Sequence, residues 1–120
     1  MSEHNEINRE HWNYSLYIAY RYKEEGHSEE AFHILRRIYE QNDFHYDKDI
    51  HGSYETYVIE KVTYLKELAK LSMVVTNKPE RSLPYLDEAL IMLDGYESVH
   101  PYISPKEVEE LKDFYLSQIK

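Results

Sequence analysis

Cysteine is absent from this chain. Its absence excludes disulfides, thiolate metal sites and cysteine nucleophiles, and it fits a reducing compartment. Glycine is almost as scarce, with three in 120 residues, and no glycine-rich phosphate loop can be drawn. Long apolar runs are missing too. The opening stretch MSEHNEINREHWN is charged, so neither a signal peptide nor a membrane span is expected, and the chain reads as soluble and cytoplasmic. Positive charge is short as well, with 14 Lys and Arg against 23 Asp and Glu for a net −9. Such a surface repels phosphate, which excludes nucleic acid and anionic membranes as partners, whereas a basic protein is steered toward it. The nucleophile elbow G-x-S-x-G and the zinc motif H-E-x-x-H are both absent, and no cofactor is expected.

What the chain has in excess is tyrosine, thirteen residues in all. A tyrosine buries its ring and keeps its hydroxyl wet, which suits helix interfaces and contact surfaces. At 120 residues the chain reads as one domain, able to bury about two-thirds of its unfolded surface.

The apolar spacing predicts five helices, with the breakers at their ends. The first runs from about Ile7 to Glu25 and stops at Gly26, and the second runs from Ser28 to near Asn42 on a stripe of Ala31, Ile34, Leu35 and Ile38. The third opens after Gly52-Ser53 and reaches about Thr76. Its two apolar seams predict a central helix packed on both sides. Pro84 sets the start of the fourth helix. An interior proline costs about 3 kcal/mol, so a start between Glu80 and Ser82 keeps it in the first turn, and Gly95 ends the helix. A loop follows from Tyr96 to Ile103. Ser104-Pro105-Lys106-Glu107 then opens the fifth helix with an N-cap, a proline and a capping-box glutamate, and Val108, Leu111, Phe114, Tyr115 and Ile119 are expected to face inward. No stretch alternates over an apolar face, so no sheet is predicted. The fold class is all-α with antiparallel neighbours.

The stretch YIAYRYKEEGHSEEAFHILRRI resembles a tetratricopeptide repeat, a helix-turn-helix of about 34 residues. The resemblance rests on Ala19 and Tyr22 in the first helix, Gly26 at the turn, and Ala31, Leu35 and Ile38 in the second. LAKLSMVVTNKPERSLPYLDEALIML echoes it with Asn77 at the turn, Ser82 at the small position, then Leu86, Ala89 and Leu90. The two turns stand further apart than one regular repeat, and Pro84 has no counterpart in the pattern. The resemblance implies two helical hairpins plus a C-terminal capping helix; the alternative is an irregular five-helix bundle. It also implies an interaction module whose groove is lined by the first helix of each pair: Asn13, Leu16, Tyr20 and Lys23, then Tyr64, Glu67, Leu71 and Val74.

One stretch holds candidate metal chemistry, NDFHYDKDIHGSY at residues 42–54. Asp47-x-Asp49-x-His51-Gly52 resembles the opening of an EF-hand loop, but a nitrogen ligand stands at its fifth position and Val58 where a bidentate glutamate is needed. If the segment is extended, His45, Asp47, Asp49 and His51 share a face and offer ligands for zinc or nickel. The two histidines then lie roughly 20 Å apart, too far for one ion unless the segment curls. A solvated acidic connector is the preferred reading. Of the Glu-x-x-His pairs, only Glu30–His33 falls mid-helix, and it points away from the apolar stripe.

The leading functional expectation is a small interaction protein that binds a protein or peptide by aromatic anchors, with acid for steering and no catalysis. An inhibitor or immunity-type protein covering a basic partner is one alternative. A metal-binding protein or enzyme using residues 43–51 is another. Homodimerisation through a tyrosine-rich helix face is compatible with each.

Overall fold

The computed structural model describes residues 16–40, 49 and 52–119. The described residues form helices and connections only, with no strand. They give five α-helices: α1 over 16–24, α2 (Ser28–Glu40), α3 (Tyr54–Thr76), α4 (Leu83–Leu93) and α5 (Pro105–Ser117). None is long and apolar enough to cross a membrane. Asn13 and the predicted start of the first helix lie outside the described residues.

The helix ends are where the breakers stand. Gly26 adopts φ +87°, a left-handed conformation that costs glycine little. Its amide donates to Lys23 O at 3.1 Å, and that of His27 to Tyr22 O at 2.7 Å, which satisfies two carbonyls of α1 and closes the helix. At the other turn Asn77 takes φ 55° and donates to Met73 O at 2.9 Å, so asparagine does the work of glycine there. Ser53 caps α3 by accepting from Thr56 N at 3.2 Å.

The fourth helix resolves the question of Pro84. A 3-10 turn over Pro79–Arg81 precedes α4, and Pro84 lies in the helix's first turn, where no intrahelical bond is lost. Ser82 is fully buried and donates its hydroxyl to Ala69 O in the middle of α3 at 2.7 Å. One short polar side chain thus pins the start of α4 to α3.

α3 is central. It packs against α2 and α4, and α4 packs in turn against α5. Ten residues spread around α3 are buried, including Val58, Val62, Leu65, Leu68 and Ala69 at 0% exposure. Tyr64, also buried, donates its hydroxyl to the Leu35 carbonyl of α2. On α2, Ala31, Leu35 and Ile38 are buried as the stripe predicts; Phe32 joins them, while Ile34 is half-buried. The 96–103 connection is anchored by Val99 and Ile103, both part of the core.

α5 departs from expectation. Val108 and Tyr115 are buried and Leu111 is half-buried, but Phe114 is 56% exposed and Ile119 42%. The buried positions form one narrow stripe. Phe114 sits a third of a turn off it, and Ile119 falls beyond the helix end. The capping box is not formed either. Ser104 Oγ accepts from Lys106 N at 3.2 Å, whereas Glu107 reaches Lys66 on α3 at 3.4 Å.

Candidate functional site

The helix spacing of α1 puts Leu16, Tyr20 and Lys23 on one face, and the fold turns that face toward α3. Lys23 Nζ stands 2.7 Å from Glu67 Oε1. Glu67 is a carboxylate at only 7% exposure, and the lysine that compensates it keeps contact with solvent. Tyr20 of α1 and Tyr115 of α5 also feel this carboxylate. Burial raises the pKa of both phenols, and the nearby Glu67 charge raises it further by opposing a second anion. Lys23 thus ties α1 to α3 through Glu67, and the Glu67 charge reaches a phenol on each of α1 and α5.

The other positions from the sequence reading divide. Leu16 packs partly buried against the core. Val74, two turns beyond Glu67 on α3, is 63% exposed. Tyr64 and Leu71 are fully buried core residues, at 1% and 0% exposure, and are unavailable to line an open groove. The reason is geometric: this row of α3 lies under its neighbours until the helix emerges beyond them near Val74.

A second polar cluster lies among α2, α3 and α4. Tyr39 donates to Glu88 Oε1 at 2.8 Å, and Lys61 Nζ approaches Glu88 Oε2 at 3.5 Å. Lys61 also donates to the Tyr57 hydroxyl at 3.3 Å. The rings extend the cluster: Tyr39 meets Tyr85 edge-on at 5.2 Å, and Tyr54 stacks on Tyr96 at 5.0 Å. Sequence reading missed this cluster. Its partners are far apart along the chain, and the only local signal was the tyrosine excess itself.

Tyr39 is pushed up to about 12, first by burial, then by its hydrogen bond to the Glu88 carboxylate, which an ionised phenol could not make. Burial is also the main cause of the raised pKa of Tyr85. A raised folded pKa means that the folded state holds its proton longer. The stabilisation is complete below the ordinary tyrosine value of about 10 and is lost as pH rises toward 12. Folding stability is therefore expected to fall between about pH 10 and about pH 12. Tyr39 is partly solvent-screened, so its share is on the order of 1 kcal/mol. Denaturant midpoints measured across that range, for wild type and Tyr39→Phe, check this. The wild-type curve should fall more steeply than the variant's, and parallel curves would count against the Tyr39–Glu88 bond.

Among the described residues, no three His, Asp or Glu side chains are placed to hold a metal ion. His45, Asp47 and His51 lie outside those residues. Asp49 is described, and it is exposed with helical rather than extended backbone. The alternating face drawn through 43–51 therefore does not hold at that position. Glu30 and His33 are both exposed, as their place off the apolar stripe predicted.

Comparison with family models, curated proteins and solved structures finds no match to this chain.

Proposed function

We propose that this chain is a small interaction module that holds a protein or peptide segment across α1, α3 and α5. On this reading its helices pair as two tetratricopeptide-like hairpins with α5 as the cap. The observation that supports the proposal is the Lys23–Glu67 ion pair at 2.7 Å between α1 and α3, whose carboxylate also acts on Tyr20 of α1 and Tyr115 of α5. Each of these helices also leaves a large apolar side chain in solvent: Tyr17 on α1, Val74 on α3 and Phe114 on α5, all at least 56% exposed. Exposed aromatic side chains suit the anchoring of a partner, because they gain area at low entropic cost. The mechanism is binding alone.

The test is a random-peptide display library panned on the purified chain, with enriched peptides synthesised and titrated. Binding is expected to weaken about tenfold or more, about 1.4 kcal/mol, in Tyr17→Ala/Val74→Ser, whose changes are on the surface and leave the core intact. No enrichment, or equal binding by the variant, would overturn the reading. An inhibitor of a basic partner is the second reading, carried by the net charge of −9. It predicts that the enriched peptides are basic and that their affinity falls steeply with salt.

A further inference from the structure

The end of α4 and the start of α5 border an open cavity of about 350 Å³ that the α1–α3–α5 face does not use. Leu90, Ile91, Leu93 and Pro105 give it apolar walls, and Asp94 and Glu109 stand at it as acids. The volume is at the small end of ligand pockets, which run from about 300 to about 1,000 Å³, so it suits one side chain better than a cofactor. Ile91, near the end of α4, is 75% exposed. His100 fixes one wall, its ring Nε2 lying 2.9 Å from Leu93 O.

The charged side chains described at this cavity are acidic. Among the described residues no lysine or arginine lines it. Asp94 and Glu109 are exposed, and neither makes an ion pair among the described residues. Lys112, one turn from Glu109, pairs with Asp87 at 2.6 Å and feels the Glu109 charge only at longer range. Apolar walls and two exposed acids, neither in an ion pair among the described residues, together describe the complement of a long cationic side chain.

We propose that this cavity seats an arginine of a basic partner protein. Its aliphatic stem lies along Leu90 and Ile91, and its guanidinium faces Asp94 and Glu109. Arginine suits the place better than lysine because its fork can serve two carboxylates and is more weakly hydrated. The net charge of −9 speeds the approach of such a partner. This site is separate from the face at Glu67 and stands or falls without it.

The experiment is an amide NMR titration of the whole chain with a blocked hexapeptide carrying arginine between two leucines. Matched peptides carry norleucine or glutamate at that position. The arginine peptide is expected to shift the amides of Ile91, Asp94, His100 and Glu109, and the norleucine and glutamate peptides to bind at least about tenfold more weakly. Asp94→Asn/Glu109→Gln, two isosteric changes at the surface, should lose the same factor. Equal binding of the norleucine peptide, shifts confined to other helices, or no saturable shift would each overturn the proposal. Free spermidine is the last arm: if it shifts the same amides as strongly as the arginine peptide, the cavity takes small polyamines and not a protein side chain.

Discussion

Leu68→Ala is expected to remove about 2–5 kcal/mol of folding stability. Leu68 lies in the middle of α3 at 0% exposure, in the core cluster shared by α2, α3 and α4. The truncation deletes buried carbon and leaves a cavity that the neighbouring helices can only partly close. A domain of this size has a total stability of about 5–15 kcal/mol, so one residue holds a large share of it. Val74→Ala on the same helix is the control. Val74 is 63% exposed, and its loss should stay within about 0.5 kcal/mol. Urea unfolding of both variants measures the contrast. Similar midpoints for the two would mean that α3 is not the central helix.

The second large effect is at Lys23. Removing it by Lys23→Met leaves the Glu67 carboxylate, whose side chain is 9% exposed, without its ion-pair partner. An uncompensated charge in so dry a place destabilises by about 1–3 kcal/mol, less than a fully buried pair because the Lys23 side of the site is open to water. The informative variant is the double one. Lys23→Met/Glu67→Gln removes both charges and should recover more than half of the loss, because the cost comes from the orphaned carboxylate and not from the missing bond. A double variant as unstable as the single one would place the effect in lost packing of the lysine stem.

These two residues also show how far the sequence could be read. The helix boundaries were legible because each rests on a local rule. Gly26 and Asn77 tolerate left-handed backbone, Ser53 and Ser104 cap, and Pro84 can stand only in a first turn. The juxtaposition of Lys23 with Glu67 was only half legible: spacing put each on a face of its helix, and nothing local showed that the two side chains meet. Depth along a helix was not legible. Tyr64, Leu71 and Val74 share one row of α3, yet the first two are buried and the last is open. Periodicity gives direction around a helix and says nothing about where its neighbours end. Phe114 was misplaced for a related reason, since an apolar residue beside the buried stripe of α5 has no second neighbour to cover it. The Tyr39–Glu88–Lys61 cluster and the cavity at Asp94 were out of reach, being assembled from three helices and from a loop with two helix ends.

The most direct test of the central claim is hydrogen–deuterium exchange of the whole chain with and without an enriched display peptide. Binding across α1, α3 and α5 predicts slowed exchange in residues 16–24 and toward the Val74 end of α3, with Leu90–Asp94 unchanged. Slowing confined to α2 and α4, or none at saturating peptide, would contradict it.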